Sequence, residues 1–301
     1  MKIVNVIGGL GNQMFQYAFA LSLKDKFPNE DILIDTQHFN YLFLKRFRTS
    51  NLHNGYELDK IFTNDEIKIA GFKELVKVTY YMPNFFLSRL VRKILPKRNK
   101  EYVAPLHESQ TFCPELLKLR GDMYYEGYWQ SAKYYEKYRD EIIKAYTPIC
   151  PPNAYNKRLI EQIVSCPSVG IHIRRGDYLL SPTYSGICDL AYYKKAIQEI
   201  NSDGMSHKYF IFSNDIKWCK ENILPLTGKN STIFVTDNKG ENSCWDIFLM
   251  TYCNDLIIAN SSFSWWGAFL NQNAKRIIAP KPWMNGRNTD DLYSSSWLQI
   301  S

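Results

Sequence analysis

The sequence of 301 residues contains no apolar run long enough to cross a membrane, no internal repeat and no low-complexity segment. Its seven cysteines are scattered and odd in number, and none forms a C-x-x-C pair, so neither a disulfide framework nor a structural zinc site is indicated. The apolar run at residues 1–7 is too short for the core of a signal peptide. We therefore expect a protein that is synthesised in soluble form in a reducing cytoplasm.

Motifs for two kinds of nucleotide site are missing as well. The chain has no G-x-G-x-x-G dinucleotide fingerprint and no D-x-D pair of acids that would carry a divalent ion beside a diphosphate. The formal net charge of +7 nevertheless favours an anionic partner, such as a nucleotide, a phosphorylated lipid head group or a membrane surface. Nucleic acid ranks last among these partners because no nucleic-acid-binding motif is recognisable.

The composition is that of a folded protein, since 45% of the residues are hydrophobic and the length fits two domains. The proline-rich segment Thr147–Asn153 interrupts a helical run, and we place a domain boundary there, between 1–150 and 151–301. After it, short apolar strands alternate with helices, which is typical of a parallel sheet covered on both faces. The strands are predicted at 169–173, 209–212, 232–236, 256–259 and 276–279, and the helices at 191–200, 244–252 and 263–270.

Four ionisable residues lie within six positions at the end of the first of these strands: His172, Arg174, Arg175 and Asp177. Ligands bind at the carboxyl ends of strands in an open parallel sheet, and the planar guanidinium group matches phosphate oxygens. The cluster therefore predicts a diphosphate site that His172 and Asp177 orient or complete. A surface ion pair between arginine and aspartate at a strand end is the ordinary alternative.

Two further predicted strands end in polar groups. Ser213, Asn214 and Asp215 follow one of them, and a run from Asn260 to Ser264 follows another. Because carboxyl ends of parallel strands share one edge, we expect all three groups to meet there. Ser261 and Ser262 also precede a helix, whose free amides and hydroxyls can hold phosphate, although a simple serine cap explains one of them.

Asp246 is the one acid in an otherwise apolar predicted helix, where an unpaired carboxylate is costly. A guanine base would pair with it through the ring N–H and the exocyclic amino group. A neighbouring lysine or a backbone cap is the alternative partner.

The first half begins with a strand at 3–7, a glycine turn at Gly8–Gln13 and a helix, followed by a second strand ending at Asp35. Such a turn suits a phosphate or a sugar but is also common without a ligand. The aromatic cluster at 124–130 is either core or a platform for sugar stacking. A helix within 85–100 has an apolar face opposite a basic one (Arg89, Arg92, Lys93, Lys97), and it is either an ordinary domain helix or a contact with an anionic membrane.

Taken together, five blocks give the chain a resemblance to the family 11 glycosyltransferases, chiefly α-1,2-fucosyltransferases that use GDP-fucose. They are GGLGNQMFQYAFA at 8–20, GYWQS at 127–131, HIRRGDY at 172–178, FSND at 212–215 and IIANSSFSWWGAFL at 257–270. The blocks span nearly the whole chain in the expected order, and the arginine block together with the NSSFSWWGA block is highly specific.

This resemblance implies a GT-B architecture, an α/β fold with two facing Rossmann-like domains and parallel sheets. The carboxyl-terminal domain would hold GDP-fucose, and the amino-terminal domain would lie on the side of a β-galactoside acceptor in a bacterial surface glycan. The reaction would invert the anomeric carbon without a metal or other cofactor. The implied location is the cytoplasmic side of a bacterial membrane, with peripheral contact as a further expectation.

Protein O-fucosyltransferases are related, and they share the glycine turn, the His-x-Arg cluster and an aspartate about fourteen residues before the Asn-Ser-Ser segment. By that similarity Asp246 matches the guanine reader, Asn12 matches a residue near the fucosyl centre, and Ser261, Ser262 and Phe263 match the nucleotide and phosphate contacts. The alternatives are a transferase for another deoxyhexose and a carbohydrate-binding protein without catalysis.

For the chemistry itself we expect Arg174 to meet the charge that develops on the β-phosphate. Arg175 is expected to pair with Asp177 instead, because neighbouring side chains seldom point the same way. The acceptor hydroxyl must lose a proton, and Asp177 is a weak candidate for the base.

Overall fold

The computed structural model describes residues 1–39, 54–63, 66–79, 85–95, 101–103 and 110–301. The chain divides into two compact units. Unit 1 comprises Met1–Ile149 and Asp290–Leu292, and unit 2 comprises Cys150–Thr289 and Tyr293–Ser301. Along the chain the division lies inside the proline-rich segment described above, and a short excursion near the carboxyl terminus also belongs to unit 1.

The described residues of unit 1 form a sheet of five parallel strands in the order β3-β2-β1-β5-β4. The central strand is buried along its whole length, and both strands predicted in this half are present within two residues. The strands are β1 (Lys2–Asn5), β2 (Ile32–Asp35), β3 (Lys68–Ile69), β4 (Glu101–Val103) and β5 (Met123–Glu126). The helices are α1 (Leu10–Lys26), α2 (Leu58–Ile61), α3 (Phe72–Val78), α4 (Phe85–Ile94) and α5 (Arg139–Ala145).

The glycine turn between β1 and α1 is held by side chains of the helix that follows it. Gly8 has φ +83°, and a Cβ there would lie 2.9 Å from Nδ2 of Asn12, so glycine is required. The buried Gln13 donates from Nε2 to the Gly8 carbonyl at 3.0 Å, and Oε1 of the buried Gln16 accepts from the amide of Ile7 at 2.9 Å. Much of this sequence block therefore serves the turn itself.

The aromatic cluster at 124–130 lies largely in the core of unit 1. Tyr124, Tyr125 and Trp129 are buried, and the Trp129 ring stacks on Phe19 with centroids 4.4 Å apart. The Tyr124 hydroxyl donates to Asp35 at 2.7 Å. These three rings fit the core interpretation, because buried rings do not present a face to a sugar.

Polar contacts of Asp291 with Phe112, Ser131 and Lys133 hold the excursion Asp290–Leu292 within unit 1. Oδ2 of Asp291 accepts from the amide of Phe112 at 2.8 Å, and the Asp291 carbonyl accepts from the Ser131 hydroxyl at 2.9 Å. Leu292 is buried. A three-residue stretch near the end of the chain thus completes unit 1.

Unit 2 contains six parallel strands in the order β11-β10-β9-β6-β7-β8. The strands are β6 (Ser168–Ile173), β7 (Lys208–Ser213), β8 (Thr232–Val235), β9 (Asp255–Ile257), β10 (Arg276–Pro280) and β11 (Leu298–Ile300). The helices are α6 (Ala154–Val164), α7 (Leu190–Asn201), α8 (Ile216–Asn222), α9 (Leu224–Thr227), α10 (Trp245–Thr251) and α11 (Ser262–Phe269). All five strands and all three helices predicted for this half are present, with ends displaced by at most two residues.

Helix α4 lies within the stretch 85–100, for which a two-faced helix was predicted. Leu87, Leu90 and Ile94, from its apolar face, are exposed by 49%, 51% and 71%. Lys93 is also exposed, whereas Lys97 lies outside the described residues. Among the helices that the structure describes, none has the length and apolar content needed to cross a bilayer.

Candidate active site

The three polar strand ends of unit 2 lie side by side, as predicted. β6 pairs with β7 on one side, where Ile173 is opposite Ser213, and with β9 on the other, where Ile171 is opposite Ile257. All these strands run in parallel, so the segments that follow β6, β7 and β9 emerge at one edge of the sheet. This edge brings together the residues from 172 to 177, from 213 to 215 and from 260 to 264.

His172 is buried at this edge and has a neutral ring. Burial, reinforced by the charge of the nearby Arg174, lowers the pKa of the imidazole to about 3. The ring stacks on Phe263 with centroids 5.7 Å apart, and this contact joins the end of β6 to the start of α11. Within the described part of the chain, Nδ1 of His172 is buried without a hydrogen-bond partner. A neutral imidazole can donate one hydrogen bond to a ligand but adds no positive charge.

Arg174 forms an ion pair with Asp177, with 2.9 Å between the guanidinium and the carboxylate. The expected pairing of Arg175 with Asp177 is therefore wrong. The reason is local: Gly176, with φ +55°, starts a 3₁₀ turn that returns Asp177 to the side of the residue three positions earlier. The guanidinium also lies 5.4 Å from the centroid of the Tyr178 ring, and its Nε is buried with no partner among the described residues.

Arg175 is held by the segment that follows β7. Its Nε donates to Asp215 at 3.2 Å, its guanidinium lies 4.1 Å from the centroid of the Trp218 ring, and its amide donates to Asn214 at 2.9 Å. Asp215 also caps α8, and its amide donates to the Ser213 hydroxyl at 3.0 Å. Asn214 and Asp215 therefore hold Arg175 in place, and Ser213 supports Asp215. The predicted contact of these three residues with GDP-fucose stays a prediction.

The serines at the amino terminus of α11 make different hydrogen bonds. Ser261 is the cap and accepts from the amide of Phe263 at 3.3 Å, while the buried Ser264 donates to the Ala259 carbonyl at 3.2 Å. Ser262 and Phe263 are partly exposed in the first turn. A capping role thus explains one serine, and the first turn of an eight-residue helix remains available for an anion.

Asp246 lies partly buried in the first turn of α10 and accepts from Nδ2 of Asn238 at 2.8 Å. Burial raises the pKa of its carboxyl to about 7, and the hydrogen bond from Asn238 opposes that rise. Neither the lysine nor the backbone cap considered from the sequence is the partner that the structure shows. Asn238 carries no signal in the sequence because it follows β8 in an irregular segment.

Asn12 lies in unit 1 beside the glycine turn, and its Oδ1 accepts from Nε2 of Gln130 at 2.8 Å. Its predicted role near the fucosyl centre stays a prediction. Within the described ranges, His, Cys, Asp and Glu side chains do not gather in threes as metal ligands do.

Comparison with solved structures identifies the fold. NodZ α-1,6-fucosyltransferase from Bradyrhizobium aligns over 92% of this chain and 93% of its own, with a TM-score of 0.55 and 15% identity. FUT1 of Arabidopsis thaliana aligns over 94% of this chain and 71% of its own, with a TM-score of 0.51 and 10% identity. The chain thus has the α/β fold of the GT-B glycosyltransferases, as predicted.

Comparison of sequences identifies the family. The family model described as glycosyl transferase family 11 matches residues 1–301, so the chain belongs to this family. The Escherichia coli O-antigen biosynthesis glycosyltransferase WbnK is 30% identical over 97% of this chain and 98% of its own length. An α-1,2-colitosyltransferase of Escherichia coli is 31% identical over 99% and 98%. Human galactoside α-(1,2)-fucosyltransferase 1 is 33% identical over 34% and 28%.

Proposed function

We propose that this glycosyltransferase is a galactoside 2-α-L-fucosyltransferase. It transfers L-fucose from GDP-fucose to the 2-hydroxyl of a terminal β-galactoside in a bacterial O-antigen, lipopolysaccharide or capsule, with inversion and without a metal. The observation that carries the proposal is the arrangement at the edge of the unit 2 sheet. Arg174 directly follows β6, where it pairs with Asp177, and the end of β6 contacts the start of α11 through the stacked rings of His172 and Phe263. A guanidinium group beside the free amides of a helix amino terminus is well suited to bind a diphosphate.

Different residues bind different groups of the donor GDP-fucose. Asp246 reads the guanine base, and Ser261, Ser262 and Phe263 contact the nucleotide and its phosphates. His172, being neutral, donates a hydrogen bond, while Arg175 and the Ser213–Asp215 segment complete the loop around the diphosphate. Asn12 of unit 1 acts near the fucosyl centre.

In the reaction, the bond between the anomeric carbon and the β-phosphate oxygen breaks while the acceptor oxygen bonds to that carbon. The electron pair of the broken bond stays on the phosphate, so negative charge there is greatest in the transition state. Arg174 stabilises that charge, which is the role that a metal ion has in other transferases. The acceptor proton leaves to a base, for which Asp177 is the candidate in this chain, although its carboxylate is engaged by Arg174.

A second donor has specific support. The α-1,2-colitosyltransferase matches this chain as well as WbnK does, over nearly the full length of both. Colitose differs from fucose by the absence of one hydroxyl, so the same diphosphate and guanine contacts serve either sugar. Selection between GDP-fucose and GDP-colitose therefore depends on the residues that contact the sugar.

Transfer should be measured with GDP-fucose, GDP-colitose and other nucleotide sugars on a β-galactoside, with and without EDTA. We expect fucosyl transfer that EDTA leaves unchanged, because the arginine supplies the countercharge. Product formation only from GDP-colitose would move the assignment to the second donor. Loss of activity in EDTA, restored by Mg²⁺ or Mn²⁺, would contradict the metal-free scheme, and nucleotide binding without any transfer would favour the non-catalytic alternative.

We also propose that the stretch 85–100 of unit 1 contacts an anionic membrane. It contains six lysines and arginines and no acidic residue. On α4 the exposed side chains of Leu90 and Ile94 would enter the interface. Basic residues beside exposed apolar ones are typical of a segment that lies on an anionic lipid surface.

Two variants separate the contributions to this contact. Changing Arg89, Arg92, Lys93 and Lys97 to Gln should reduce sedimentation with phosphatidylglycerol vesicles at low salt, because about 1 kcal/mol is lost per basic residue near the surface. The double variant Leu90→Ser, Ile94→Ser should reduce it at all salt concentrations. Transfer to a soluble acceptor should remain intact in both. Vesicle binding equal to that of the wild type in both variants would remove the proposal.

A further inference from the structure

Asp246 is hydrogen-bonded to Asn238, which forms a reciprocal amide pair with Asn156. Nδ2 of Asn156 donates to Oδ1 of Asn238 at 3.0 Å, and Nδ2 of Asn238 donates back to Oδ1 of Asn156 at 2.9 Å. Nδ2 of Asn238 also donates to Oδ1 of Asp246 at 2.8 Å. Asn156 is buried in the first turn of α6, whose cap, Asn153, accepts from the Asn156 amide at 2.9 Å. The first turn of α6 is thus linked through Asn238 to the first turn of α10.

We propose that Asn238, whose amide is fixed by Asn156, is a positioning residue that orients the carboxylate of Asp246 toward the guanine base of the donor. This inference rests on the proposed function, because it assigns a role to residues behind the base-reading acid. Neither asparagine needs to touch the nucleotide.

The hydrogen-bonding capacities fix the orientation of the pair. An ionised carboxylate only accepts, so the amide nitrogen of Asn238 must face Asp246. Its second N–H and its oxygen are both taken by Asn156. Rotating the Asn238 amide by half a turn would place its oxygen against the carboxylate and break both bonds to Asn156. The pair therefore presents a donor to Oδ1 of Asp246, while Oδ2 is left for the N–H groups of a guanine base.

The same bond sets the charge of Asp246. Burial favours the neutral acid, and donation from Asn238 favours the carboxylate, which places the pKa near neutrality. The charged groups Asp237, Lys239 and Glu241 of the segment before α10 are exposed, as are Lys157 and Arg158 of α6. Solvent screens them, and the hydrogen bond from Asn238 is the contact that favours the ionised form. Loss of its N–H should therefore raise the pH at which Asp246 ionises.

Calorimetric titration with GDP between pH 5.5 and 9 tests this inference on the full chain. We expect wild-type affinity to fall by about tenfold as the pH drops through 7, because a neutral acid loses charge-assisted bonds to guanine. Asn238→Ala should bind GDP about tenfold more weakly at pH 7, with the midpoint of its pH profile raised by about one unit, and should approach the wild type at pH 9. Asn156→Ala should shift the midpoint in the same direction by less.

The matched control is Asn254→Ala. Asn254 is a partly buried asparagine of unit 2 whose Oδ1 accepts from the amide and hydroxyl of Ser168 at 3.1 and 3.2 Å, at the start of β6. Its loss should lower the melting temperature and leave the pH profile of GDP binding unchanged. An Asn238→Ala profile that is merely weaker at every pH, or identical to the wild type, would overturn the positioning role. Failure of the wild type to bind GDP would instead overturn the proposed function.

Discussion

Replacing Arg174 by lysine should lower the turnover of fucosyl transfer by about 10² to 10³ at saturating donor and acceptor, the usual effect of removing one donor from an oxyanion site. The reason is geometric. Lysine keeps the positive charge but presents a single mobile ammonium, so the paired hydrogen bonds of the planar fork to the phosphate are lost. The loss is felt mainly in the transition state, where the phosphate charge is greatest, so affinity for GDP should change little.

The neighbouring substitution Arg175→Lys is the matched control. Arg175 is already held by Asp215 and the Trp218 ring, so we expect a decrease in turnover of less than about tenfold, together with a lower melting temperature. Initial rates and thermal melts of both folded variants decide the assignment. If Arg175→Lys lost turnover while Arg174→Lys retained it, the two roles would be exchanged, and if both remained active this edge would not be the catalytic centre.

Replacing Asp246 by asparagine should weaken GDP binding by about 10- to 100-fold at pH 8, while turnover at saturating donor changes by much less. The asparagine side chain has an NH₂ group in place of one carboxylate oxygen, and this group cannot accept from the N–H groups of guanine. Turnover changes less because the guanine base is remote from the bond that breaks. Calorimetry with GDP and UDP should show that the variant loses most of its preference for the guanine nucleotide. GDP affinity equal to that of the wild type in a folded variant would give Asp246 a structural role only.

The same substitution should stabilise the free protein at alkaline pH. The carboxyl has a pKa near 3.9 in the unfolded chain and about 7 in the folded one, so between these values the folded state binds more protons. Stability from the neutral acid is therefore complete below pH 4 and is lost as the pH rises through 7. Since Asp246 is only partly buried, we expect Asp246→Asn to gain about 1–2 kcal/mol at pH 8 and little at pH 4. Urea unfolding at the two pH values measures the difference.

The sequence predicted unit 2 well because its strands are short apolar runs separated by helices, and such runs have few other folds open to them. It predicted much less of the middle of unit 1. β5 is rich in tyrosine and buried on both faces, so it shows no alternation of polar and apolar residues. β3 has two residues and leaves no pattern to detect.

The site was predicted to the level of strand ends and no further. Residues that follow adjacent parallel strands must meet, which brought Arg174, Asp215 and Ser262 to one edge. Which carboxylate pairs with which arginine depends on the left-handed turn at Gly176, and this turn is a matter of backbone geometry. The bonds between Asn156 and Asn238 join positions 82 residues apart, and nothing in the local sequence marks them.

The excursion Asp290–Leu292 has a consequence for dissecting the molecule. A fragment ending at Ile149 contains the five described strands of the unit 1 sheet but lacks the carboxylate that accepts from Phe112 and the carbonyl that accepts from Ser131. The complementary fragment contains these acceptors but lacks the Phe112 amide and the Ser131 hydroxyl that donate to them. A cut between Ile149 and Cys150 therefore does not separate the two units, because Asp290–Leu292, which belong to unit 1, follow most of unit 2 in the sequence.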